Sequence, residues 1–364
     1  MARQIDSLTG VRGIAAMWVV LLHGISYVSA SAVMPGYVER VITKGWLGVD
    51  LFFILSGFVI SYVHQSDFVH LHRSEISRFL KLRIARIYPA HFIATIVLIP
   101  VFLGATLFSV YTFPEGAESQ YTLSKFFYSL FLINGWGFPN SIGWNVPSWS
   151  VGSEWFAYLC FPFIAFIYNK IRNPWLHLLM IITIFSTMVI LAAYLNDMQK
   201  YMLDEHLSLT RIASEFLIGC SLYNIHAKLK DSPLFDLTAI AAASMAIIFA
   251  SLDLSSFYDF LIIIAFATLL LSLSRSVGIA AKIFSTQPLI YLGKISYSIY
   301  LAHATTLMVF NQIFKRIVPP DMGDVLYLIL FYAIYIACSI IAGHLLYSLI
   351  EKPARNYLRN RWAV

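Results

Sequence analysis

The sequence predicts an all-α membrane protein. It reads as a bundle of about ten transmembrane helices, one domain over 1–364, with both termini in the cytoplasm. Three observations predict this. Of 364 residues, 59% are hydrophobic and 12% charged, roughly half the ~25% charged content of a soluble domain. Apolar runs long enough to cross the bilayer core recur along the whole chain. Lys and Arg then gather in alternate connections between those runs, as cytoplasmic loops require.

The first run, 11–31, carries Arg12 near its start and His23 eleven residues later, with almost wholly apolar residues between them. No small-residue cleavage site follows it, so it reads as a retained span rather than a signal peptide. Spans 46–65 and 84–108 come next, the latter behind the basic segment Arg73–Pro89. A short apolar piece, 126–136, leads into a Gly/Pro/Trp-rich loop at 135–149 and reads as interfacial or re-entrant. The remaining spans are 149–169, 175–195, 210–226, 234–252, 258–275, 288–310 and 325–350. Connections are short and no internal repeat is visible, so one bundle is expected.

An N-in topology places most of the 25 Lys and Arg on the cytoplasmic side. Arg40, Lys44, Lys125, Lys200, Arg211, Lys315 and Arg316 fall outside, and Lys294 falls within a span. The net charge of +6 follows from these loops, and no basic-aromatic module suggests nucleic acid. Cys160, Cys220 and Cys338 lie scattered in apolar stretches, with no disulfide framework and no metal spacing.

At about 1.5 Å rise per residue, His23 stands roughly 16 Å along the helix from Arg12. That is about half the hydrocarbon thickness. With the orientation above, Asp50, Glu154 and His303 reach the same outer half from three other spans. Ionisable groups at such depth are functional candidates by default. A carboxylate beside a histidine can orient the imidazole and raise its basicity, which suits general-base work on a hydroxyl. Taken singly, His303 reads equally as a packing residue, and Asp50 as a helix cap or the lining of an outer vestibule. On the cytoplasmic side Arg83 and Arg86 are three apart, hence neighbours on one helical face. Such a fork suits phosphate oxygens. Ordinary attraction to anionic lipid explains the same residues.

Several stretches together resemble the membrane-bound acyltransferase 3 family, which includes O-antigen and other cell-surface polysaccharide O-acetylases. They are Arg12 with His23, Gly48-Val-Asp-Leu-Phe-Phe-Ile-Leu-Ser-Gly-Phe, Arg83-Ile-Ala-Arg86-Ile-Tyr-Pro, Trp149-Ser-Val-Gly-Ser-Glu154, Leu292-Gly-Lys-Ile-Ser-Tyr-Ser-Ile-Tyr-Leu-Ala-His303 and Glu351-Lys-Pro. They run in order from end to end. The resemblance implies ten core spans in a bacterial inner membrane. It also implies an acyl donor such as acetyl-CoA used from the cytoplasm, and an acceptor hydroxyl on an envelope polysaccharide or lipid-linked sugar. It ties Arg12 and His23 to catalysis, and Arg83 and Arg86 to the donor. Many larger members add an extracytoplasmic domain, so a chain of this length is expected to be the stand-alone transmembrane form.

The expected reaction is O-acyl transfer. Arg83, Arg86 and Arg12 hold the donor phosphates, His23 deprotonates the acceptor, and Asp50 or Glu154 holds the imidazole. Trp149, Ser296 and Tyr297, with His303, are candidates for oxyanion or substrate contacts. Direct transfer is the simpler route, with an acyl-enzyme on Ser148, Ser150 or Ser153 as the alternative. No metal is implied, since no histidine pair has zinc spacing. A secondary transporter or polysaccharide flippase is the rival reading, because buried charges in a bundle serve transport as well. The missing repeat symmetry and the one-sided basic cluster count against it.

Overall fold

The computed structural model describes residues 4–28, 34–108, 117–195, 207–319 and 323–362, with helices and turns but no strand among them. Arg3, Lys200 and the end of the expected first span, 29–31, lie outside the described residues. Helix α1 (Asp6–Ile25) begins with Asp6, whose charge favours a helix N-terminus. A short α2 (Gly36–Thr43) and a tight turn at Lys44–Leu47 lead into α3 (Gly48–His64). The basic segment Arg73–Pro89 belongs to one long helix, α4 (Arg73–Ile96), followed by α5 (Leu98–Phe108) and α6 (Leu123–Leu130). Then come α7 (Trp149–Tyr168) and α8 (Pro174–Tyr194). At the start of α8, Pro174 fixes the first turn while the Asn173 side chain accepts from the Trp175 N–H at 3.0 Å. The second half comprises α9 (Ser208–His226), α10 (Leu234–Ser251), α11 (Asp259–Leu273), α12 (Ile279–Phe284), α13 (Gln287–Ile317), α14 (Asp324–Leu346) and α15 (Lys352–Arg361).

Among the described residues, seven helical stretches are long and apolar enough to cross a membrane, against the ten expected. The other three expected spans are also helical but fall short in length or apolarity. Helix α11 has 15 residues, about 22 Å of rise. Helix α9 carries Arg211, Glu215 and Asn224, and α13 carries Lys294, Ser296, Ser298 and His303. Arg211, Asn224 and Ser298 on these helices bond to protein partners, and that same polarity lowers their hydropathy.

Burial sorts the bundle from centre to rim. In the stretch containing α3, 72% of the most apolar window is buried, against 17% in α8, 22% in α10 and 17% in the stretch containing α14. The outer helices therefore offer apolar faces suited to lipid, and α3 is the central post. It packs along α9, while α1 packs along α13. At the α3–α9 crossing, a Cβ on Gly57 would land on the Phe216 carbonyl oxygen, and one on Gly219 on the Ile54 carbonyl oxygen. Small residues let backbones touch here, the means by which helices associate where lipid is as apolar as their side chains.

The loop expected at 135–149 is tucked against the start of α7 rather than free. The Asn134 amide donates to Ser148 Oγ at 2.9 Å, Trp136 Nε1 to the Gly152 carbonyl at 3.0 Å, and the Asn145 amide to the Leu301 carbonyl at 3.1 Å. Leu132, Asn140 and Trp144 take positive φ to make these turns.

Candidate active site

Because α1 packs between α3 and α13, its Arg12 faces a partly open cavity whose empty space, counting the part continuous with solvent, is about 790 Å³. Four other helices line it: α3 with Ser56, α4 with Arg83 and Arg86, α7 with Glu154 and Tyr158, and α13 with Tyr297 and Tyr300. Glu154 Oε1 accepts from Ser56 Oγ and from the Tyr158 hydroxyl, each at 2.5 Å. One carboxylate is thereby fixed opposite a set of guanidinium groups.

The three arginines are held differently. Arg12 Nε and Arg83 Nε are buried without a hydrogen-bond partner. The Arg83 guanidinium lies over the rings of Phe79 and Tyr158, 5.6 and 5.9 Å from their centroids. Arg86 lies over the Tyr297 ring at 5.3 Å and donates to Glu351, which is fully buried. Glu351 also accepts from Ser298 Oγ at 2.6 Å and faces Arg355 at 3.5 Å. It closes a π-helical turn at Tyr347–Glu351 between α14 and α15, a local widening common at functional sites. Two further cavities open from this point. One is lined by Arg12, Arg86, Lys294 and Arg355, the other by His64, Arg78, Arg83, Arg86, Arg355 and Arg359. Together they form a strongly basic mouth.

His23 lies further along α1 and does not line the arginine cavity. Its ring meets that of His303 edge-on, with centroids 4.7 Å apart. His23 Nδ1 is 2.9 Å from the Val19 carbonyl, and His303 Nδ1 is 2.6 Å from the Tyr300 carbonyl. A carbonyl oxygen only accepts, so each Nδ1 carries the hydrogen and each neutral ring leaves Nε2 as its basic nitrogen. His303 is fully buried and its Nε2 has no partner, whereas His23 is half-buried. The Tyr300 ring lines the cavity and packs on His303 at 5.7 Å, so it stands between the cavity and the histidine pair.

The carboxylates expected beside His23 are engaged elsewhere. Asp50 takes two hydrogen bonds from Arg211, at 2.9 and 2.5 Å, with both side chains buried. A guanidinium matches a carboxylate in bidentate geometry, so Arg211 holds Asp50 where an imidazole could not. Arg211, expected at the outer end of the span 210–226, is 1% exposed inside α9 and has Glu215 as a second carboxylate neighbour at 4.0 Å. Glu154 is committed to Ser56 and Tyr158. The oxyanion candidates also separate. Tyr297 lines the cavity and donates to the Ile87 carbonyl at 2.7 Å, while Ser296 is buried and donates to the Gly293 carbonyl of its own helix. Trp149 lies under Arg211, 5.5 Å from Cζ to the ring centroid. Of the three serines, Ser150 alone reaches the cavity, and it is bonded to Tyr300 at 2.7 Å. Ser148 accepts from Asn134, and Ser153 donates to the Gly135 carbonyl.

A model of an acyltransferase domain family, Acyl_transf_3, matches residues 5–344. The chain belongs to this acyltransferase family. Among curated relatives, the peptidoglycan O-acetyltransferase OatA of Listeria monocytogenes is 23% identical over 97% of this chain and 56% of its own length. The O-acetyltransferase OatA of Staphylococcus aureus is 23% identical over 97% of this chain and 57% of its own. The acyltransferase MdmB of Streptomyces mycarofaciens is 29% identical over 47% of this chain and 42% of its own. The chain thus spans little more than half the length of the two OatA relatives. No solved structure matches it.

Ser56, Tyr158 and Arg211 were not singled out as site residues from the sequence. Tyr158 lies four residues after Glu154, the spacing that stacks two side chains on one helical face, and this was a usable signal. Arg211 had one too, since a buried carboxylate at Asp50 demands a buried cation. Among the described residues, no group of three or more His, Cys, Asp or Glu could hold a metal ion.

Proposed function

We propose that the protein is a membrane-embedded O-acyltransferase. It would move an acyl group, acetyl in the simplest case, from a cytoplasmic acyl-CoA to a hydroxyl of an envelope polysaccharide sugar. One observation carries this reading: a single helix, α1, places Arg12 in the arginine-lined cavity and His23 against His303 further along its length. A buried guanidinium N–H without a partner costs about 1–3 kcal/mol, which an anionic ligand recovers. Arg12 and Arg83 supply such groups, and with Arg86 and the surrounding basic mouth they suit a nucleotide donor's phosphates. The acyl arm then enters the cavity towards Tyr300. Beyond it His23, with Nε2 free of its hydrogen, takes the proton of the acceptor hydroxyl as that oxygen attacks the thioester carbon. The C–S bond then breaks, and the departing CoA thiolate takes the proton back from His23, leaving the sugar ester and free CoA. The protein interior around the thioester excludes water and limits hydrolysis.

Both OatA relatives are O-acetyltransferases, which supports acetyl as the acyl group, and the Listeria monocytogenes one is a peptidoglycan O-acetyltransferase, which supports a cell-wall glycan as the acceptor class. The apolar outer helices support placement in a membrane. In this reading that is the bacterial inner membrane, with the arginine mouth facing the cytoplasm.

The deciding experiment uses sealed vesicles carrying the protein with its arginine mouth inward. They are loaded with radiolabelled acetyl-CoA and offered an impermeant glycan fragment outside. Label on the external glycan is expected, and none when the donor is supplied only outside. Efficient transfer with both substrates outside overturns the two-sided reading. Absence of transfer with the donor inside, across peptidoglycan and other envelope glycans, overturns the acyltransferase assignment of this site.

A further inference from the structure

Where α3 ends against α4, two side chains with no part in the reaction above, His64 and Asp67, continue in a chain of hydrogen bonds from Arg83. His64 is the last residue of α3, and Asp67 sits in the turn Gln65–Phe68 that follows. His64 Nδ1 is 2.9 Å from Asp67 Oδ2, and His64 Nε2 is 3.3 Å from Arg83 Nη2. A guanidinium only donates, so Nε2 must be the accepting nitrogen, and Nδ1 must carry the hydrogen that Asp67 receives. The carboxylate therefore sets the tautomer that lets a neutral imidazole hold a cation. His64 is 7% exposed and its ring stands edge-on to Phe79 at 5.2 Å, the same ring over which the Arg83 guanidinium lies. Phe79 thus anchors both partners. Arg83 has no carboxylate partner of its own among the ion pairs described, unlike Arg86 with Glu351.

We propose that His64 is a positioning residue for the anionic donor, held by Asp67 and acting through Arg83. A neutral acceptor suits this task better than a carboxylate, because it fixes the guanidinium without cancelling its charge. A glutamate at the same place would pair with Arg83, as Glu351 pairs with Arg86, and offset part of the charge available to phosphate. In this arrangement Arg83 keeps its full charge for the ligand, and its long side chain loses little further freedom when the donor arrives. The inference rests on the acyl-CoA reading of the arginine cavity.

The test compares His64→Gln, His64→Leu and Asp67→Asn in the full chain purified in detergent. CoA is titrated by calorimetry, and steady-state acetyl transfer from acetyl-CoA is measured to separate KM from kcat. His64→Leu keeps the apolar packing on Phe79 but removes the acceptor, and is expected to raise the CoA Kd and the donor KM about tenfold with kcat little changed. His64→Gln offers an amide oxygen to Arg83 and is expected to stay within about threefold of the parent. Asp67→Asn, at a partly exposed position, frees the tautomer and is expected to raise Kd about threefold. Equal Kd in His64→Leu and the parent overturns the proposal, as does an equal loss in His64→Gln and His64→Leu, which marks packing alone. Parent protein that transfers acetyl while His64→Leu keeps its KM refutes this inference and leaves the transferase reading intact. Parent protein that binds no CoA refutes both.

Discussion

The His23 and His303 rings meet edge-on at 4.7 Å, each with Nδ1 donating to a carbonyl of its own helix. Neither imidazole depends on a carboxylate for its tautomer, because the helix backbone one turn back does that work. Two bare Nε2 atoms are thereby placed in one neighbourhood, one partly exposed and one fully enclosed.

If His23 is the base, His23→Ala should lower acetyl transfer by about 100-fold or more while CoA affinity stays within about twofold. His303→Phe should preserve ring packing but remove the enclosed nitrogen, with a smaller loss of about tenfold. Turnover and calorimetric titration of both variants check this. A His23→Ala enzyme keeping a tenth of its activity removes His23 from the chemistry.

Asp50→Ala should act on the fold rather than on the reaction. It takes the bidentate carboxylate away from buried Arg211, whose carboxylate neighbour Glu215 is more distant at 4.0 Å, at a cost of roughly 3 kcal/mol. The expected result is a large fall in melting temperature and in folded yield by size-exclusion chromatography. Glu215→Gln keeps the shape and should cost less. A stable Asp50→Ala protein that cannot transfer acetyl would instead return Asp50 to the active site.

Gly57→Leu should prevent the α3–α9 contact, because the Phe216 carbonyl oxygen occupies the place of the new Cβ. A cost of about 3 kcal/mol is expected, the upper end for overpacking. Gly104→Leu meets open space and should leave the melting temperature unchanged. Thermal unfolding in detergent compares the two directly.

Sidedness can be read with single cysteines in a background lacking Cys160, Cys220 and Cys338. Ser77→Cys and Asn140→Cys are both at exposed positions, on the first turns of α4 and in the loop before α7. An impermeant maleimide should label Asn140→Cys in intact cells and Ser77→Cys only after permeabilisation. Labelling of both from one side, or the reverse pattern, contradicts a cytoplasmic arginine mouth.

What the sequence made readable was whatever a single helix encodes. Arg12 and His23 share α1, and Arg83 and Arg86 share a face of α4, so spacing alone predicted their relation. The ten apolar runs are likewise helical, although three carry too much polarity or too little length to count as spans by themselves. Depth along the bundle could be estimated, but direction around each helix could not. Asp50 and Glu154 were therefore set beside His23 on depth alone, when Asp50 turns to Arg211, 161 residues away, and Glu154 to Ser56 and Tyr158. The Arg86–Glu351 pair spans 265 residues and depends on a π-helical turn that no local pattern in the chain announces.

That turn has a geometrical consequence for everything after it. A π-helical turn holds one more residue than the α-helical path it replaces, and each residue of an α-helix advances the chain by 100° and 1.5 Å. Deleting one residue within Tyr347–Glu351 would rephase α15 by about that angle relative to α14. Arg355 and Arg359 would then swing away from the cavities they share with Arg86, even though no charge had been removed. The azimuth of the C-terminal charges is thus governed by a single inserted backbone unit.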